Sequence, residues 1–154
     1  MIDLDAVDLE ILRALQAEGR LTNAELARRV NLSPPAIHAR VRRLEEQGVI
    51  RGYVALVDHA SLGCYDMLCF INIRLQVHQF ELAKQFREDI QAKPEVLECH
   101  HVTGEFDYLL KVVIKNRQDL ERFVVQELTP LQGVSRIYTS LVLSEIKSGT
   151  AVPL

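Results

Sequence analysis

The sequence has no tryptophan and few aromatics of any kind, 6% in all. Its 154 residues include only 5 prolines, 7 glycines and 3 cysteines. Collagen-like, low-complexity and disulfide-dense scaffolds are therefore excluded. Cys64, Cys69 and Cys99 are odd in number and none stands in a CxxC spacing. Reduced thiols in a cytoplasm are the simplest expectation. No apolar run approaches the length that spans a bilayer, so no membrane is expected as a partner. The opening residues carry acids where a secretory leader would carry basic residues. Also missing are a Walker loop, a GxGxxG and a GxSxG, the motifs of phosphate cradles and nucleophile elbows. No enzyme is expected.

Positive charge is scarce too. Lysine and arginine total 18 against 21 acids, a net charge of −3. A chain that binds phosphates is usually basic, so the total argues against nucleic acid. The distribution argues the other way. From Arg20 to Arg51, seven arginines meet only Glu25, Glu45 and Glu46. Up to Tyr53 arginines and acids balance, and the whole acidic excess lies beyond it.

What is present, 48% hydrophobic and 25% charged residues, suits one ordinary folded domain or two small ones. Leu4, Val7, Ile11, Leu12 and Leu15 recur at helical spacing over residues 3–17. Asp5 and Asp8 suit the start of that helix and Gly19 its stop. Thr22-Asn23-Ala24-Glu25 reads as a capping box, with Leu21 and Leu26 as its hydrophobic staple. This second helix is short, and Asn31 suits a left-handed turn after it. Ser33 then caps a third helix with Pro34 at its first position. Its apolar seam is Ile37, Val41 and Leu44. Gly48 closes it, and Val49–Leu56 is rich enough in Val, Ile and Tyr for a short strand.

Two helices about three residues apart, the second rich in arginine, form a helix-turn-helix pattern. Such a helix enters the major groove, where guanidiniums meet phosphates and guanine edges. A solvated charged face is the plainer alternative. The DNA reading makes Arg40, Arg42 and Arg43 the charged contacts. Ser33, Pro35, Ala36, His38 and Ala39 lie closest to the bases, and Thr22 and Asn23 anchor phosphate. Pro35 and Ala36 offer few hydrogen bonds, which favours thymine methyl contacts and DNA shape.

Residues 54–66, with Asp58, Ser61 and Gly63, read as a linker. Beyond it Met67 to Val77 alternates as a strand, and Phe80–Ile90 turns helical. Val96–Thr103 and Phe106–Ile114 are strands. Asn116 caps a helix bearing Leu120, Phe123, Val124 and Leu128, and a last strand runs from Val134 to Lys147. The order βαββαβ is ferredoxin-like. The fold class is therefore α+β: a winged helix-turn-helix domain over 1–53 and a ferredoxin-like domain over 67–154. Its two helices cover one sheet face. The last strand is apolar on both sides, which predicts a homodimer through this domain. Cys99 and His101 share a strand face, but nothing completes a metal set, so no metal is expected. His59 and His78 read as isolated surface residues.

Leu4-Asp5, Gly19-Arg20, Leu32-Ser33-Pro34, Arg40-Val41-Arg42-Arg43-Leu44-Glu45 and Gly48-Val49-Ile50 resemble the Lrp/AsnC (feast/famine) family of transcriptional regulators. Glu98-Cys99-His100 and Val102-Thr103-Gly104-Glu105-Phe106-Asp107-Tyr108 resemble its RAM-type sensing domain. The likeness covers roughly residues 3–147. It implies a small effector, usually an amino acid, bound between neighbouring dimers, and dimers joined into an octamer. It carries the effector site to Thr103, Gly104, Glu105, Asp107 and Tyr108, and more loosely to His100. His101 and Ser144 fall near the same place with no readable role. A glycine turn can hold an α-carboxylate by its amides, and Glu105 or Asp107 can pair with the ammonium. A tight turn with solvated acids is the alternative at these residues. For the whole chain the alternatives are an effector-independent DNA-compacting protein and a small ferredoxin-like enzyme.

Overall fold

The computed structural model describes residues 2–76 and 80–154, except for the side chains of His59 and Ala60. The expectations for Val77, for His78 and for the His59 side chain lie outside the described residues. The chain divides into two units, Met1–Leu56 with Lys147–Leu154, and Val57–Ile146. The closing residues 147–154, expected with the second domain, thus cluster with the first. There the Gln16 side chain donates to Val152 O at 3.1 Å and accepts from Val152 N–H at 2.7 Å.

The first unit is built on three capped helices. Helix α1, Ala6–Ala17, opens at Asp5, whose carboxylate accepts from the Asp8 amide while the Asp8 carboxylate accepts from the Asp5 amide. Helix α2, Asn23–Arg29, carries the expected Thr22/Glu25 capping box. Asn31 takes the left-handed turn at φ 54°. Helix α3, Pro34–Glu46, is capped by Ser33. Ile11, Leu12, Leu26, Ala27, Ile37, Val41 and Leu44 close the core between them.

The strand expected over Val49–Leu56 does not form. A strand needs a neighbour for its backbone groups, and none pairs with this segment among the described residues. Instead Val49 and Ile50 donate their amides back to Leu44 O. Val54 and Leu56 are left more than four-fifths exposed.

In the second unit the linker contains one helical turn, α4 (His59–Leu62). Strand β1 (Met67–Leu75), helix α5 (Phe80–Gln91), β2 (Val96–His101), β3 (Tyr108–Ile114), α6 (Arg117–Arg122) and β4 (Val134–Leu141) follow. Helix α6 runs on as a π-helical turn, Phe123–Leu128. The antiparallel sheet has the order β2-β3-β1-β4, as the ferredoxin-like reading requires. Alternation sends Cys69, Ile71, Ile73, Tyr108, Leu110 and Val112 into a core with Phe86, Ile90, Phe123 and Leu128 from the helices. The opposite face carries Phe70, Arg74, His100, Leu109, Lys111 and Tyr138.

Three strand ends are corrected, the first being β3, which starts at Tyr108 rather than Phe106. β2 stops at His101 rather than Thr103. β4 stops at Leu141, not Lys147, because it lies opposite Cys69 near the start of β1. One further amide, Val142, reaches Leu68 O, and the ladder ends there, next to the first residue of β1. Leu143 and Ile146 are consequently exposed.

Candidate DNA interface and effector turn

At about 100° per residue, Pro35, Ala39, Arg42 and Glu46 fall opposite the buried seam of α3. His38 lies on the flank toward α2, where its Nδ1 is 3.2 Å from Asn23 Nδ2. Arg40 and Arg43 lie on the flank toward α1. Thr22 and Ser33 spend their hydroxyls on helix caps. Ala36 is half-buried, while Pro35, His38 and Ala39 are exposed.

The three arginines of α3 differ sharply in their partners. Arg42 pairs with Glu46 one turn along at 2.8 Å, both side chains well exposed. Arg40 bridges Asp5 at 2.7 Å and Asp8 at 2.8 Å. Arg43 pairs with the other oxygen of Asp8. Asp8 is fully buried, 0% exposed, and is the one buried charged residue among those described. The Asp8 amide, and then the Arg40 guanidinium, hold the Asp5 carboxyl below its ordinary value. The three arginines expected as DNA contacts are thus one loosely held side chain and two tied to a buried acid. Sequence reasoning also passed over Arg20, Arg28 and Arg51 as contacts. Each is exposed and none makes an ion pair among the described residues.

The second candidate is the turn between β2 and β3. Gly104 sits at φ +118° with open space where a side chain would stand, and Thr103 and Glu105 are exposed with it. The Arg136 guanidinium donates to Glu105 at 2.8 Å and lies 5.8 Å from the centre of the Phe106 ring. Phe106 also meets Tyr138. Arg136, distant in sequence, was not foreseen.

Asp107 and Tyr108 are turned to structural work. The Asp107 carboxylate accepts from the Leu75 amide at 2.7 Å, and the Asp107 amide donates to Ile73 O. Tyr108 is buried, 4.6 Å from Phe86 and stacked on His101 at 5.0 Å between ring centres. Burial pushes its hydroxyl pKa up. His100 lies on the opposite sheet face, with Glu98 at 3.0 Å. The turn therefore gathers Thr103, Gly104 and Glu105, is closed by Asp107, whose carbonyl accepts from the Val102 amide at 2.9 Å, and leaves Tyr108 in the core and His100 on the opposite sheet face. Among the described residues no group of three or more His, Cys, Asp or Glu side chains forms a metal cluster. No helix among them is long and apolar enough to cross a membrane.

Residues 4–51 match the winged helix-turn-helix DNA-binding family, and residues 68–152 match the Lrp/AsnC ligand binding domain. The chain belongs to the Lrp/AsnC family. It is 41% identical over 153 residues to the leucine-responsive regulatory protein of Rhizobium meliloti, covering 99% of this chain and 97% of that one. Identity to the Escherichia coli leucine-responsive regulatory protein is also 41%, over 94% of this chain and 88% of the relative. Among solved structures, a Neisseria meningitidis transcriptional regulator in complex with L-methionine superposes with TM-score 0.92. It is 37% identical and covers 98% of this chain and 97% of its own. Escherichia coli AsnC gives TM-score 0.86 at 29% identity, over 99% and 100% of the two chains. This Lrp/AsnC protein is a transcriptional regulator, not an enzyme, with a DNA-binding head and a domain for a small-molecule ligand.

Proposed function

We propose that this Lrp/AsnC protein is a cytoplasmic one-component regulator whose hold on DNA is set by an amino acid bound at the 102–107 turn. The observation that carries the reading is the Glu105–Arg136 pair beside Gly104. An α-amino acid presents one carboxylate and one ammonium a few bonds apart. Arg136 and the amides around Gly104 suit the first, and Glu105 suits the second. The Neisseria relative was solved with an amino acid, L-methionine, which supports the class but not the identity.

On the DNA side, Arg42, Pro35 and Ala39 face the major groove with His38 at the edge, and Asn23 approaches phosphate. The open sheet face, with Phe70, Leu109 and Tyr138, meets a second copy, and dimers join into higher rings, an octamer by family likeness. An effector-independent DNA-compacting protein is the rival reading. A thermal-shift screen of the standard amino acids, repeated by native mass spectrometry, separates the two. A specific ligand raises the melting temperature by mass action and shifts the assembly. No shift with any of the twenty rejects amino-acid sensing.

A further inference from the structure

The three arginines of α3 stand at very different costs of release. Arg42 and Glu46 are an exposed pair one helical turn apart, side chains 69% and 63% exposed. Such a pair contributes little and exchanges readily for another partner. A phosphate can take Arg42 from Glu46 and leave that carboxylate in water. Asp8 has no such recourse. Its side chain is 1% exposed, and its two oxygens are held by Arg40 and Arg43. Swinging either guanidinium to DNA leaves one oxygen of a buried carboxylate without its charged partner, which is unfavourable.

The geometry agrees with the energetics. Arg40 and Arg43 lie on the α1 flank of α3, one helical turn apart on a common stripe. Asp8 belongs to the first turn of α1 and is itself fixed by the reciprocal cap with Asp5. Arg40 contacts both members of that cap. The start of α1 is thereby joined at three points to the middle and last turn of α3. Apolar packing alone allows a helix to slide or roll, whereas hydrogen-bonded guanidiniums define one setting.

We infer that Arg40 and Arg43 are positioning residues that set the roll and height of α3 through Asp8, and that Arg42 is the α3 arginine given to phosphate. Sequence specificity then depends on an acid that cannot touch DNA.

The test uses the full chain and two duplexes, one recovered by in vitro selection with the unsubstituted protein and one scrambled. Dissociation constants are measured against salt by fluorescence anisotropy, at a temperature where circular dichroism shows each variant folded. Arg42→Gln is expected to weaken both duplexes and to lower the salt slope by about one. Arg43→Gln and Arg40→Gln are expected to keep the slope and the scrambled-duplex affinity. Each loses about fivefold in preference for the selected duplex. Asp8→Asn is expected to lose preference likewise, and Asp8→Asn with Arg43→Gln to lose no more than either alone. A residue that only supports stability leaves the preference of folded protein untouched, and that result overturns the inference. So does a slope lowered by one in Arg40→Gln or Arg43→Gln. If Asp8→Asn does not fold, the two arginine variants decide.

Discussion

The Leu75 amide donates to the Asp107 carboxylate at 2.7 Å. This bond ties the end of the β2–β3 turn to the end of β1, next to the register shift between Arg74 and Leu75. The Leu75 amide points to the β3 side of β1, beyond the last pair Ile73–Tyr108, so the Asp107 side chain takes the place of a ladder carbonyl. Replacing Asp107 with alanine strands that amide in a half-buried place. We expect Asp107→Ala to cost about 1–3 kcal/mol, read as a lower urea midpoint for the second unit. Asp107→Asn keeps an acceptor and should recover most of it. If Asp107→Ala keeps full stability and loses only the response to an amino acid, the aspartate is a ligand contact instead.

Glu105 and Arg136 call for the opposite pattern. Their pair is exposed, about 59% on each side, so its removal should leave the melting temperature nearly unchanged. Loss of a charge-assisted contact to ligand should weaken amino-acid binding about tenfold or more. Calorimetric titration of Glu105→Gln and Arg136→Gln with the amino acid found in the screen checks this. Unchanged affinity in both variants moves the site away from the turn.

The caps, the helix seams and the order of elements along the chain were legible because each rests on neighbours in sequence. Thr22 and Glu25 lie three apart, as do Asp5 and Asp8, and Ile37, Val41 and Leu44 recur on one stripe. What escaped depended on partners far along the chain. Val49–Leu56 has the composition of a strand but no strand beside it. The last strand keeps its apolar residues past Leu141, where its pairing with β1 ends. Arg40 and Arg43 looked like free cations because Asp8 lies over thirty positions away. Arg136 meets Glu105 only when β4 takes its place in the sheet.

Acid should loosen the DNA-binding unit before any helix loses its apolar seam. Asp5 and Glu25 both sit below their ordinary values of 3.8 and 4.5. The Asp8 amide is the main cause for Asp5, and the Thr22 hydroxyl for Glu25. A depressed carboxyl adds stability above its unfolded value and loses it as pH falls through the folded one. Helicity of residues 1–56 should therefore weaken below about pH 4.5, followed by urea titration at pH 7 and pH 3. Asp5→Asn keeps a good cap without the charge, so combined with Glu25→Gln it should lower stability at pH 7 and flatten the profile. An equally steep profile in the double variant assigns acid sensitivity to other carboxylates.

The open sheet face makes the last prediction. Phe70 is 36% exposed and Tyr138 54%, although both sit on central or edge strands whose other sides are packed against helices. In register, Phe70 stands opposite Lys111 and Ser140, and Asn72 opposite Leu109 and Tyr138. The aromatic pair thus flanks a small polar centre rather than forming a dry core. A second copy of this face would bury the rings and satisfy Asn72 together. Phe70→Asp places a charge where that burial occurs and changes nothing in the helix-side core. We expect sedimentation velocity at micromolar concentration to show the unsubstituted chain as a dimer or larger and Phe70→Asp as a smaller species with unchanged far-ultraviolet dichroism. An unsubstituted chain that sediments as a monomer would falsify assembly through this face, and so would a Phe70→Asp chain that keeps its size.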